Sequence, residues 1–180
     1  YRAGTLDIND YVRFATDAVR TRGPAAAAEA HARFMQDVVQ PVITDAARAL
    51  IAQHRAAGDE IVIVTATNDF VTRPIADALG VAELIAVQLE HARGADGVDW
   101  ITGNIRGVPS AREGKVTRME QWLAGRGLGW GDVRSTFYTD SMNDIALLEK
   151  VDHPVATNPD ERLRALAQER GWRILDIFKP

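Results

Sequence analysis

Two carboxylates and an amide crowd the stretch FYTDSMNDIALLE, residues 137–149, where Asp140, Asn143 and Asp144 fall on D-S-M-N-D directly after a short apolar run. Like charges this close repel each other unless a cation or a lysine offsets them. Capping a helix uses one oxygen of one residue, whereas D-x-x-N-D supplies two carboxylates and an amide within about one helical turn. Oxygen donors with no His or Cys beside them suit a hard cation. Mg²⁺ in particular needs few protein carboxylates, because it keeps waters and takes phosphate oxygens. Two further groups fit that chemistry. Thr65, followed by Ala66 and Thr67, ends the run IVIVT at 61–65, and Lys115 sits at the start of the helical segment EGKVTRMEQWL. A hydroxyl and backbone N–H groups can hold phosphate oxygens while an ammonium offsets their charge, which is phosphoryl-transfer logic without a visible nucleophile. Taken singly, each residue has a plainer role: a turn or cap for Thr65, Asp140 or Asn143, and a solvated helix position for Lys115.

The elements that must carry these residues follow from the apolar periodicity. IVIVT is a continuous β-branched run of the kind buried on both faces of a parallel sheet. Helices are expected from Thr44, as N-cap, through Ala57, from Asp69 to Leu79, from Gly114 to Ala124, from Asn143 to Glu149 and from Asp160 to Arg170. Strands are expected at 84–89, at 135–139, around 154–156 and around 172–175, and the glycine-bearing stretch His91 to Pro109 reads as a hairpin or irregular excursion. Strands alternating with helices give an α/β fold with a doubly wound parallel sheet, in which ligands bind at the carboxyl ends of the strands. Residues 1–42 read differently: two helices, Leu6 to Arg22 and Ala25 to Val39, separated by Gly23-Pro24, with no strand between them. They are expected to form a separate helical unit, with residues 43–180 forming the α/β core.

Composition narrows the function classes. A chain of 180 residues with 46% hydrophobic and 26% charged residues is an ordinary globular protein with one substantial core. Its formal charge of −4 offers no basic field for nucleic acid or anionic lipid. The absence of Cys excludes disulfides and thiolate metal sites and fits a cytoplasmic enzyme. No apolar run approaches the ~18 residues of a membrane span. His31, His54, His91 and His153 share no metal-site spacing and read as surface or helix residues, and the four tryptophans read as core or rim.

In order and spacing, the three motifs resemble the haloacid dehalogenase superfamily of phosphohydrolases, in particular its phosphoserine-phosphatase-like branch. That family's second motif, a strand ending in Ser or Thr, is matched by IVIVT at Thr65; its third, a helix-borne lysine, by Lys115; its fourth, by DSMND. The resemblance implies a Rossmann-like core with a helical cap, residues 1–42 being the later part of that cap. It also implies a Mg²⁺-dependent phosphatase acting on a small phosphorylated metabolite through an aspartyl-phosphate. Thr65 and Lys115 would serve catalysis, Ala66, Thr67 and Asn143 the substrate phosphate, and Asp140 and Asp144 the metal, Asp144 alternatively pairing with Lys115. Arg2, Tyr11, Arg13 and Arg33 are candidates for reading the rest of the substrate.

Two departures qualify the likeness. Thr65-Ala66-Thr67 stands where phosphoserine phosphatases carry Ser-Gly-Gly, and the bulkier Thr67 argues against phosphoserine itself. The first motif, a hydrophobic strand followed by D-x-D-x-T, has no counterpart; LDIND at 6–10 lacks a preceding strand and lies in a helical pattern. In the family that motif ends the central strand and supplies the attacking Asp. The chain starts on Tyr1 rather than Met, and the expectation is a natural chain longer by roughly 30–50 residues, enough for a strand, a loop and one or two helices. Residues 1–180 alone should then be inactive. The alternative is a catalytically inactive phosphate-binding or interaction protein of the same fold; a nucleotide-binding Rossmann domain ranks last for want of G-x-G-x-x-G.

Overall fold

The computed structural model describes residues 7–95 and 97–177. Helix α1 (Ile8–Phe34) starts where Asp7 accepts the N–H groups of Asn9 and Asp10. It bends at Gly23, whose φ of +76° is open to a glycine, just before Pro24. The Gly23-Pro24 stop expected from the sequence is therefore a kink between two helical arms. A π-helical turn (Met35–Val39) and the short α2 (Gln40–Val42) lead to Thr44, whose hydroxyl caps α3 (Asp45–Ala56) through Ala47 N–H.

Strand β1 (Val62–Asn68) pairs in parallel with β2 (Glu83–Val87), and α4 (Asp69–Ala78), capped by Asn68, connects them. The stretch expected to be irregular is an antiparallel hairpin of β3 (Leu89–Arg93) and β4 (Asp99–Ile105). Helix α5 (Glu113–Ala124) leads into β5 (Thr136–Thr139), a 3₁₀ turn (Met142–Asp144), α6 (Ile145–Leu148), β6 (His153–Thr157), α7 (Glu161–Glu169) and β7 (Arg173–Leu175). Strands β5, β6 and β7 are parallel neighbours in that order. Among the described residues, no helix is long and apolar enough to cross a membrane.

Two apolar clusters match the two parallel pieces. Val12, Val87, Leu89 and Ile101 form one, with Val19, Phe70 and Trp100 packed on it; Leu148, Ala156, Leu163 and Ala167 form the other, with Phe137 and Trp172. Val12 puts α1 into the first of these clusters. That helix shares a core with the hairpin, which it reaches through Trp100 Nε1 donating to Val19 O and Arg13 donating to Asn104. Gly103 makes the close approach possible: a Cβ there would lie 2.8 Å from Arg20 Nε.

A second difference concerns β1. Its β-branched run suggested burial on both faces, yet Val62, Ile63 and Val64 are only half-buried. The reason is pairing on one side alone: β1 bonds to β2, and among the described residues no strand bonds its other edge.

Candidate active site

The carboxyl ends of β1 and β5 and the start of α5 converge on one cavity of about 650 Å³. Thr65, Ala66 and Thr67 line it from β1, Lys115 from α5, and Asp140, Asn143 and Asp144 from the segment after β5. All seven residues singled out by the sequence are thus brought together. Of the four candidates for substrate reading, Tyr11 lines the cavity, Arg13 bonds to Asn104 and Arg33 pairs with Glu29 on its own helix. Arg2 lies outside the described residues.

Lys115 and Asp144 form the most constrained part. Lys115 Nζ lies 2.7 Å from Asp144 Oδ1, with the two side chains only 6% and 9% exposed. Asp144 Oδ2 accepts from Thr139 Oγ1 at 2.7 Å, and that hydroxyl accepts from Ser141 N–H in turn. Lys115 Nζ also donates to Val64 O at 3.5 Å and sits 5.8 Å from the Phe137 ring centroid. Two buried charges pay for desolvation only when paired and hydrogen-bonded, and this pair is both. The lysine therefore ties the end of β1 to the end of β5.

Around the pair, the groups that can meet a ligand are less constrained. Asp140 and Asn143 are exposed, and among the described residues the Asp140 carboxylate has no hydrogen-bond or ion-pair partner. Thr65 Oγ1 accepts from Thr67 N–H at 3.1 Å, which leaves its own proton available to a phosphate oxygen. The backbone carbonyl of Thr65 accepts from Ser110 Oγ at 2.6 Å.

Ser110, fully buried, and Thr139 are supports of the candidate site that the sequence reading missed. Each acts through a neighbour, Ser110 on Thr65 and Thr139 on Asp144. Gly114 is a third, and it carries a signal in its position just before Lys115. A Cβ on Gly114 would come within 2.0 Å of Pro109 O, so only glycine lets the chain enter α5 here and deliver the lysine. The preceding Arg112 holds φ at +51°, an unfavourable region for a side-chain-bearing residue, at the edge of the same cavity.

The donor set fits a hard cation in part. Asp140 is an available oxygen ligand, and Mg²⁺ accepts one or two carboxylates with waters and substrate oxygens completing its shell. Asp144, expected among the metal residues, has both oxygens engaged, one by Lys115 and one by Thr139. Among the described residues no group of three or more His, Cys, Asp or Glu side chains could hold a metal on its own.

Two of the histidines, both on helices as the sequence suggested, make specific contacts. His31 packs its ring 5.3 Å from Phe70 and bonds to Val71 O, and His54 links Asp59 (2.6 Å) to the Tyr138 hydroxyl (2.8 Å).

Residues 1–149 match the family described as haloacid dehalogenase-like hydrolase. The chain belongs to that family. This haloacid dehalogenase-like hydrolase is 40% identical over 178 residues to a histidinol-phosphatase of Neisseria meningitidis serogroup C (strain 8013), covering 98% of this chain and 78% of the relative. A crystal structure of a protein with unknown function from Bordetella pertussis Tohama I superposes with a TM-score of 0.91 at 47% identity, over 99% of this chain and 78% of that one. A substrate-bound phosphoserine phosphatase shares the fold, with a TM-score of 0.53 at 21% identity over 72% of this chain and 56% of its own. The mixed α/β architecture with parallel strands expected from the sequence is the architecture observed, and the named curated relative is a phosphatase.

Proposed function

We propose that the protein is a Mg²⁺-dependent phosphomonoesterase acting on a small phosphorylated metabolite, and that its attacking Asp is carried by a segment outside residues 1–180 which pairs between β1 and β5. The observation that carries this reading is the cavity itself. It brings Thr65, Lys115, Asp140, Asn143 and Asp144 together at the carboxyl ends of two strands, each of which has one unbonded edge among the described residues. A parallel strand ending there would place a carboxylate beside all five. Residues 1–42 are, on this reading, the later part of a cap over that site.

The division of labour we propose is the one the resemblance implies, and the placement of the side chains is compatible with it. The Thr65 hydroxyl donates to a phosphate oxygen, with Ala66 and Thr67 N–H groups as further donors at the end of β1. Asn143, exposed beside them, offers its amide to the same phosphate. Lys115 holds a positive charge next to the phosphate while Asp144 and Thr139 fix its ammonium in place. Asp140 holds the Mg²⁺, which when bound supplies charge neutralisation at the phosphate oxygens. Attack by the Asp from the outside segment forms a P–O bond and expels the alcohol, which takes a proton from an acid on that segment; water then releases phosphate.

The relative's name makes histidinol phosphate the first compound of the panel to try. The test is phosphate release by the full-length protein from an aryl phosphate and from a broad set of phosphometabolites, with and without Mg²⁺. Release that requires Mg²⁺ and disappears in Asp140→Asn supports the reading; inactivity across the whole panel contradicts it and leaves a phosphate-binding protein of the same fold.

A further inference from the structure

The turn that delivers Lys115 contains a strained residue whose side chain the turn does not use. Arg112 stands immediately before α5 at φ +51° and ψ −125°, a region that glycine enters freely and other residues rarely. Asn158 is the other non-glycine at positive φ among the described residues, and asparagine is a type that tolerates it. The chain around Arg112 is fastened on both sides: Ser110 Oγ donates to Thr65 O at 2.6 Å, Gly114 N–H to Ala111 O at 2.9 Å and Lys115 N–H to Arg112 O at 3.0 Å. None of these bonds involves the Arg112 side chain, which has no acceptor with which to cap the helix. A glycine would make the same turn without strain. The turn therefore explains the backbone at this position but not the guanidinium.

The charges of the cavity give that guanidinium a use. Asp7, Glu113, Asp140 and Asp144 line it on the negative side, and Arg112 and Lys115 on the positive side. Lys115 is committed to Asp144 at 2.7 Å. Asp7 caps α1, and Glu113 stands in the first turn of α5, where the positive end of the helix favours it. Arg112 makes no ion pair and no side-chain hydrogen bond among the described residues. A phosphate dianion entering among these carboxylates thus meets one cation already engaged and one free. We propose that Arg112 is a phosphate-binding residue of this site: its guanidinium takes two oxygens of the substrate phosphate, one helical turn from Lys115, and the fastened backbone fixes where the fork starts before the ligand arrives. This rests on the phosphomonoesterase reading above, and it adds a residue that none of the three sequence motifs contains.

Inorganic phosphate, the product common to all phosphomonoesters, is the probe, because titration calorimetry reads its binding to the full-length protein with Mg²⁺ whether or not any ester is turned over. Arg112→Gly should weaken phosphate binding about tenfold or more and raise KM for an aryl phosphate by a similar factor, with a smaller fall in kcat. The same variant should raise the melting temperature by about 2 °C, because the strain is released. Arg112→Lys keeps the charge and loses the fork, and its phosphate affinity should fall between the two. Unchanged phosphate affinity in Arg112→Gly, with the wild type active, overturns the assignment and leaves the phosphomonoesterase reading intact. A melting temperature that falls together with the affinity also overturns it, since Arg112 would then act through the fold. A wild type that neither binds phosphate nor releases it from any ester of the panel overturns both.

Discussion

Strands β1 and β5 carry the site, yet they are less well covered than the strands outside them. Val62, Ile63, Val64, Phe137 and Tyr138 are half-buried, whereas Ile85 and Val87 on β2 are 3% and 0% exposed and Val155 and Ala156 on β6 are 2% and 0%. Each of the two pairs on one side only among the described residues, and their ends are joined at the cavity by one buried ion pair rather than by a backbone ladder. Polar chemistry takes the place of strand pairing at this point, in keeping with the ligand and further strand proposed above.

The largest expected effect is at that junction. Lys115→Met leaves Asp144 buried without its partner and should cost about 3–5 kcal/mol, whereas Lys115→Met with Asp144→Leu should recover most of the loss. Urea midpoints of the single and double variants check this, and both should be inactive. Next comes the same substitution on β6, which is paired on both sides, and on β1, which is paired on one. Val155→Ala should cost about 2 kcal/mol and Val62→Ala about 1 kcal/mol or less in residues 1–180, the two values converging in the full-length protein. Equal costs in residues 1–180 would break the comparison.

Thr139→Val removes the hydroxyl that donates to Asp144 and should cost about 1–3 kcal/mol, with a parallel fall in kcat. Gly114→Ala forces a Cβ onto Pro109 O and should cost a similar amount, about 1–3 kcal/mol, while displacing Lys115. The smallest effect lies on β2, away from the site. The Trp122 indole N–H, ahead of Arg126, holds the Glu83 carboxyl below its ordinary 4.5. A depressed carboxylate contributes stability above the unfolded value and loses it as pH falls through the folded one, so it fades below about pH 4.5. Glu83 is 35% exposed, so solvent screens most of it, and Trp122→Phe should only flatten the acid limb of a melting-temperature curve slightly.

The site was legible in the sequence because its residues are local to strand ends. Thr65 closes a β-branched run, and Asp140, Asn143 and Asp144 fall within one turn, so the rule that ligands meet the carboxyl ends of strands was enough to group them. Ser110 was not legible, because its bond to Thr65 O spans 45 residues and a serine before a helix looks like any cap. The same holds for the partner of α1: periodicity marks an apolar face but not what covers it, and here a hairpin shares its core. The partial burial of β1 was hidden for the opposite reason. A β-branched run reports the environment a strand suits, not how many neighbours it has, and among the described residues β1 has one.

That last point makes backbone hydrogen exchange the most direct measurement. The amides of β1 and β5 that do not bond to β2 or β6 should exchange quickly in residues 1–180. In the full-length protein they should be as protected as those of β2 and β6, because a strand then pairs with both edges. Fast exchange of the same amides in the full-length protein would contradict a site completed between β1 and β5.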